Sequence, residues 1–466
     1  MAMKRLLTMA ILLALSMKWG MLQGQNSAQI NINNVSTTGN PIVREVSGRP
    51  PLMYLQKDDT TGCFATYVRP TSLSVMALKA MLLPALHKAI DFVVTDKDTV
   101  HLIGLNTQTS IYFVASFPLS TVYQHTGSIK FRYFNPELTA VGLDDNPNTY
   151  VQYTHLKRIR FYRNIVDERL FITGQKITYS LPTMGYLTTR DTQYCLLDMD
   201  AITGDTKAMT ARSGREQFLD VVETYNYYVV VSKYRHTLMI PMLRLYPKTN
   251  YALGNTPYKD SVAYLDSYAN KYESDIMGVH VNADTFALAH SNIWDGTVVE
   301  AFRLSGSTSS SLPTASLINR YRFSDPDIKG DIRGFGYIYS DRRFLVVPEL
   351  SINDGWIFNF RYPDAPNPNN LKMVYPSVTI TSLCTPPYGN KFTAAGFRNA
   401  RATAIYDNTS ATDHCDNVVN IQATDECEPD DFKINYQSTR IDIFYRQATL
   451  VTPTYANIPF QPICNQ

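Results

Sequence analysis

What most limits the fold of this chain is a hairpin that returns about every 60 residues. Residues 159–175 read IRFYRNIVDERLFITGQ. A strand-like run, Ile159–Arg163, enters a polar turn, and a second run, Arg169–Thr173, ends at Gly174. β-branched and aromatic residues on both sides of a short Asp/Asn turn read as a β-hairpin. The pattern recurs at 90–104 (IDFVVTDKDTVHLIG), 219–231, 276–289 and 332–347, and with a longer polar loop at 403–422. With Ile90, Ile159, Leu219, Ile276, Ile332 and Thr403 as equivalent starts, the steps are 69, 60, 57, 56 and 71 residues.

Further strand-like runs lie between the hairpins, among them Ile111–Ala115, Thr192–Met199, Val298–Leu304 and Gly355–Tyr362. A unit therefore has room for about four strands, and repeated four-stranded antiparallel units are the blades of a β-propeller. The second runs of the hairpins, such as Tyr227–Val231 and Phe344–Val347, are continuously apolar. They do not alternate, which suits a sheet covered on both faces, as stacked blades are. The expected fold is all-β: a propeller of four-stranded antiparallel blades, six favoured and seven the alternative. Residues 51–70 form another hairpin, expected to complete a blade with C-terminal strands at Ile441–Tyr445.

The first residues read as an export signal: Lys4 and Arg5, an apolar run Leu6–Met17, then Lys18, with Gly24 a small residue before Gln25. The expected division is a signal peptide over 1–24, an extended segment over 25–50 and the propeller over 51–466. The run Thr71–Lys88 is broken by Lys79 and Pro84, so no transmembrane segment is expected after signal cleavage. Lys4, Arg5 and Lys18 leave with the signal, taking 43 basic residues to 40 against 41 acidic ones. A nearly neutral chain has no electrostatic footprint for nucleic acid.

Six cysteines in an exported chain permit disulfides. Cys415 and Cys427 flank the apolar run Val418–Ile421, and with Cys384 and Cys464 they crowd the C-terminal part. These four are the disulfide candidates. Cys195 reads as a buried free thiol. The densest polar cluster is Asp413-His414-Cys415-Asp416. Asp413, His414 and Asp416 are the only metal candidates, with Ca²⁺ the ion that carboxylates would favour. Their spacing matches no zinc pattern, neighbours on a strand point to opposite faces, and a solvated acidic loop is the simpler reading, so no metal or other cofactor is expected. Asp325-Pro326-Asp327 lacks the remaining ligands of a calcium loop and reads as a turn. His101, His280 and His290 fall in or beside inner hairpins, from which a side chain can reach a central channel. Gly334-Phe335-Gly336 marks close backbone packing. Tyr225-Asn226-Tyr227-Tyr228 and Tyr264–Tyr272 offer rings that can stack on sugars or simply pack strands. No nucleophile elbow, P-loop or zinc-protease motif is present, so catalytic residues are unknown.

The stretches Ile90-Asp91 with Val100–Gly104, and Leu219-Asp220 with Tyr227–Val231, resemble a hairpin signature of exported β-propeller-like proteins from Bacteroidales. The resemblance covers about residues 85–410 and implies a propeller of unknown function. The expected role is an exported, non-catalytic binding or scaffold protein, periplasmic or at the cell surface, using face loops to recognise a protein or glycan partner at the cell envelope. The alternative is a carbohydrate-active enzyme, a hydrolase or lyase with acidic residues at the channel mouth. Carboxylates or His converging there without opposing Lys or Arg would favour the enzyme.

Overall fold

The computed structural model describes residues 28–465 apart from 68–75, 110, 135–149, 164–167, 181–187, 205, 211–215, 236–238, 249–261, 265–274, 293–295, 306–313, 364–370, 387–389, 410–416, 421–423, 426–430, 433–438 and 443–447. The first strand, β1 (Ala28–Ile32), is separated from the strands that follow it. Six antiparallel meanders come next. The first is β2 (Ile42–Val46), β3 (Arg49–Gln56), β4 (Gly62–Thr66) and β5 (Met76–Leu82). The second is β6 (His87–Val94), β7 (Thr99–Asn106), β8 (Ile111–Pro118) and β9 (Ile129–Phe134). The third is β10 (Tyr150–Arg163), β11 (Glu168–Ser180), β12 (Thr188–Asp200) and β13 (Thr206–Thr210). The fourth is β14 (Glu216–Glu223), β15 (Tyr227–Arg235), β16 (Met239–Pro247) and β17 (Val262–Tyr264). The fifth is β18 (Ile276–Asn282), β19 (Thr285–Asn292), β20 (Gly296–Ser305) and β21 (Thr314–Phe323). The sixth is β22 (Ile328–Ile338), β23 (Arg343–Leu350), β24 (Gly355–Arg361) and β25 (Leu371–Tyr375). A seventh begins with β26 (Val378–Cys384), β27 (Lys391–Arg398) and β28 (Arg401–Asn408), and its fourth strand is β1, paired from Ala28 opposite Tyr406 to Ile32 opposite Ala402.

Two observations make these sheets a ring. The first strands of successive sheets touch in a closed cycle, β2, β6, β10, β14, β18, β22, β26 and back to β2. The apolar core is divided into seven clusters among the described residues, each at one seam between neighbouring sheets. Phe335, Tyr337, Phe344 and Trp356 of the sixth sheet meet Ala287, Val299 and Tyr321 of the fifth. The second strands explain the continuous apolar runs: Tyr227–Val231 and Phe344–Val347 are buried without a break, because each lies between two seams. The architecture is a β-propeller of seven blades.

The count corrects the expectation of six. β3 opens Arg49-Pro50-Pro51, and the turn after β26 carries Pro386. Proline reads as a strand breaker, and it hid the inner hairpins of the first and seventh blades. The run 403–422 is no inner hairpin: it holds most of β28, the seventh blade's third strand, and a strand of the rim described next. Nor is the extended segment over 25–50 separate from the propeller, since β1 and β2 belong to the seventh and first blades. Residues 1–24 lie outside the described residues.

Beyond β28 the chain turns back and runs round the rim in reverse blade order. β29 (Asn417–Asn420) pairs with β25, β30 (Thr424–Asp425) with β21, β31 (Asp431–Phe432) with β17, β32 (Thr439–Asp442) with β13 and β33 (Thr449–Val451) with β9, all antiparallel. The last strand, β34 (Thr454–Asn465), pairs with β5 along Thr454–Phe460 and with β1 along Phe460–Asn465. Ile441 thus belongs to the third blade, not to a blade shared with residues 51–70. Every blade gains a fifth strand, and the outer edge of its fourth strand is covered. The seam between the first and seventh blades is bridged by both chain ends: β1 lies inside β34, with Ile30, Ile32, Ile458 and Phe460 in the seam's core.

Candidate functional site

The innermost strands surround a cavity of about 850 Å³ that draws its wall from all seven blades. All seven carry a break in register. A bulge bends the strand and re-aims the side chain that follows. In five blades that residue is Asp91, Arg158, Asp220, Gly334 or Ser382. The two aspartates are those of the repeated Ile90-Asp91 and Leu219-Asp220 pairs, and their role is to latch blade to blade. Asp91 Oδ1 accepts the N–H of Phe92 at 2.8 Å, while Oδ2 accepts that of Ile159 in the next blade at 3.0 Å. Asp220 does the same with Val221 at 2.9 Å and Gly278 at 3.0 Å. Ser382 Oγ accepts the N–H of Val43, 3.2 Å away across the closing seam.

Arginines complete the latches. Arg160 grips Asp220 with two parallel hydrogen bonds, Nε to Oδ1 at 2.8 Å and Nη2 to Oδ2 at 2.7 Å. Arg158 donates to the carbonyls of Leu219 and Ile276 at 2.8 and 3.2 Å and to Asp275 at 3.0 Å, tying the third blade to the fourth and fifth. Arg44 pairs with Asp91 and also donates to the Phe92 carbonyl at 2.9 Å. Burial pushes the Asp220 carboxyl up, but Arg160, Arg158 and the Gly278 N–H outweigh it and hold the group below the usual carboxylate range. Gly334 and Gly336 let the sixth blade close on the seventh: a Cβ at Gly334 would stand 2.6 Å from Leu383 Cβ, and one at Gly336 2.5 Å from Thr385 Cγ2. The close backbone packing expected of this pair is present.

The mouth on the side of the inner-hairpin turns is different in kind. Of the aromatic side chains whose exposure is described, two are exposed, Tyr225 at 76 % and Tyr339 at 38 %, and both line this cavity. Tyr225 caps the β14–β15 turn, its backbone N–H held by the Ala283 carbonyl at 2.9 Å. Tyr339 follows β22. Between them stands His280 of β18, its Nε2 3.1 Å from the Ala283 carbonyl and its Nδ1 3.0 Å from the Tyr339 hydroxyl. A carbonyl only accepts, so in the neutral ring Nε2 donates to Ala283 and Nδ1 is an acceptor; the one Tyr339 hydroxyl hydrogen has two acceptors in reach, Nδ1 and the His280 carbonyl at 3.2 Å. Lys248 reaches Glu223 at 2.6 Å on the same rim.

Of the wall's carboxylates, Asp91, Asp275 and Glu223 have cationic partners in Arg44, Arg158 and Lys248. Glu45 has none among the described residues. Burial raises its pKa, opposed by a hydrogen bond from the Cys384 thiol at 3.5 Å. Cys384 is a buried free thiol, which corrects its place among the disulfide candidates: it faces Glu45 across the closing seam. Burial, then Glu45, pushes that thiol well up. Cys464 sits in β34 opposite Gln29. Cys415 and Cys427 lie outside the described residues, as do Asp413, His414 and Asp416.

The three histidines part company. His280 reaches the mouth. His101 is buried, 2.8 Å from Ser116 Oγ and stacked on Phe161, and burial together with nearby Arg132 lowers its pKa to about 4. His290 is buried beside Glu300, 3.7 Å away. Asp325 accepts the N–H of Asp327 at 3.1 Å in a turn, as expected. Tyr227 and Tyr228 pack in seams, whereas residues 265–272 lie outside the described residues. No three His, Cys, Asp or Glu side chains among the described residues are grouped as metal ligands, and no helix among them is long and apolar enough to cross a membrane.

No protein-family model and no curated protein matches the chain. Among solved structures, it aligns with the β-propeller domain of the Trilobed protease from Pyrococcus furiosus, described as having an open velcro topology, at 6 % identity and a TM-score of 0.30, covering 80 % of this chain and 97 % of that one. The WD40 domain of SCAP from fission yeast aligns at 6 % identity and a TM-score of 0.18, over 76 % and 91 % of the two chains. Strand order, closed ring and channel define the class: a seven-bladed β-propeller with a rim strand on every blade.

Proposed function

We propose that the protein is an exported, non-catalytic binding propeller of the cell envelope, holding a protein or glycan partner at the inner-hairpin mouth of its channel. The observation that carries this reading is the placement of two exposed aromatic side chains, Tyr225 and Tyr339, on that one mouth. Exposed rings cost solvation and are retained where a partner covers them. Deeper in the channel the charged groups are engaged in holding blades together, and a general base tied to an arginine is a poor proton acceptor. A glycosidase of the ordinary kind needs two carboxyls roughly 5–9.5 Å apart with separate roles. In this wall only Glu45 has no cationic partner among the described residues.

The test is a glycan array and a peptide array probed with the full chain and with the Tyr225→Ala/Tyr339→Ala variant, beside cell fractionation of the native producer. Binding that drops at least tenfold in the variant, with the protein outside the cytoplasm, is the expected result. Binding indifferent to both substitutions places recognition elsewhere. Hydrolysis of a bound glycan moves the protein to the enzyme reading, with Glu45 as the first candidate acid.

A further inference from the structure

We infer that the ligand of this mouth is a neutral oligosaccharide, laid along an arc formed by Tyr225, His280 and Tyr339 of the fourth, fifth and sixth blades. This rests on the proposed recognition role of the mouth and adds the ligand's class.

Three features point to sugar. The first is the ring set. A pyranose has flat C–H faces that lie against an aromatic face, while its hydroxyls ask for donors and acceptors in the same plane. Tyr225 presents most of its ring to solvent, and Tyr339 part of its own. The second is what stands between them. His280 is fixed by the Tyr339 hydroxyl and by the Ala283 carbonyl, which also takes the Tyr225 N–H, and the Glu223–Lys248 pair supplies acceptor and donor beside Tyr225. A platform held by its own hydrogen bonds loses little entropy when a ligand arrives. The third is charge. Lys248 faces Glu223, Arg160 faces Asp220, Arg158 faces Asp275 and Arg44 faces Asp91. Arg333, also in the wall, faces Glu349, and Lys157 is the one wall cation with no ion pair among the described residues. With five of its six cations paired, the wall has a weak field for a phosphate or a nucleic acid. A peptide wants a free sheet edge or enclosed apolar pockets; the half-buried apolar side chains of this wall, Ile90, Phe161 and Met277 among them, lie on the inner strands of separate blades and form no single pocket at the mouth. The cavity, about 850 Å³, lies within the ~300–1,000 Å³ of small-ligand sites.

The experiment is isothermal titration of the full chain with linear neutral hexasaccharides, β-1,4-gluco, β-1,3-gluco, α-1,4-gluco and β-1,4-manno, at low and high salt. At least one is expected to bind, with an affinity changed less than about twofold by salt because no ion pair forms. Tyr225→Ala is expected to weaken it roughly tenfold, and Tyr225→Trp to retain it. Tyr339→Phe, which keeps the ring and loses the hydroxyl that holds His280, is expected to weaken it less than Tyr339→Ala. Thermal melts of each variant certify the fold. If no hexasaccharide binds while an arrayed peptide does, and the double alanine variant loses the peptide, the sugar assignment is overturned and the mouth stands as the recognition site. If a sugar binds equally to wild type and double variant, both readings fall.

Discussion

At the scale of single residues, the channel turns charge into geometry. Asp220 is fully buried, and its two oxygens serve two arginines and two backbone N–H groups drawn from three blades. Removing one partner of a buried pair leaves the other desolvated and uncompensated, at a cost of about 3–5 kcal/mol. Asp220→Asn is therefore expected to lower the denaturant midpoint strongly, and Asp220→Leu with Arg160→Met to recover much of the loss, as equilibrium urea unfolding will show. His101 gives a pH dependence of known sign. Its folded pKa, lowered to about 4 from the ordinary 6.5 by burial and Arg132, means that the unfolded chain takes up a proton first. Stability is lost as pH falls from about 6.5 to about 4, by roughly 3 kcal/mol at the lower limit, and levels off below. His101→Gln is expected to remove that share of the slope, read from urea midpoints at pH 7 and pH 4.5.

The elements show how far sequence reaches. Second and third strands were legible because a sheet covered on both faces demands unbroken apolar, β-branched runs. Ile111–Ala115, Val298–Leu304 and all of Gly355–Tyr362 but its last residue lie in third strands. Pro50, Pro51 and Pro386 hid two hairpins that tolerate proline because the first two fall at the register break between β2 and β3 and the third in a turn, where no ladder N–H is needed. Of the rim strands, β32 was legible in part, as the strand read at Ile441–Tyr445, but not its blade; β30 and β31 are two residues each, too short for any period, and are held by the blade edge they meet. Of the site, Tyr225 was visible as a residue type and Ile90-Asp91 as a repeat. Neither could be placed, because a channel mouth is assembled from blades far apart in sequence. The rim strands carry their own prediction. Deleting residues 410–466 removes the fifth strand of every blade and leaves seven unpaired edges. The shortened chain is expected to aggregate on purification and to melt well below the full chain. An equally stable monomer by light scattering and calorimetry would show the rim strands to be dispensable.

For the whole molecule, closure is the organising fact. Seven seams hold the core, latches at the channel set the angle between blades, and β1 and β34 from the two ends of the chain tie the last seam. A ring closed in this way leaves its turns as the part of each blade outside the ladders, and the proposed recognition falls on them. The proposed site is one mouth, so the most direct measurement is hydrogen exchange of the full chain with and without the saturating ligand found by titration. Slowed exchange is predicted in peptides spanning 223–227, 280–285 and 337–340 and not elsewhere. Protection on the opposite face, along the rim strands, or spread evenly over the blades would contradict the claim that this mouth is the binding site.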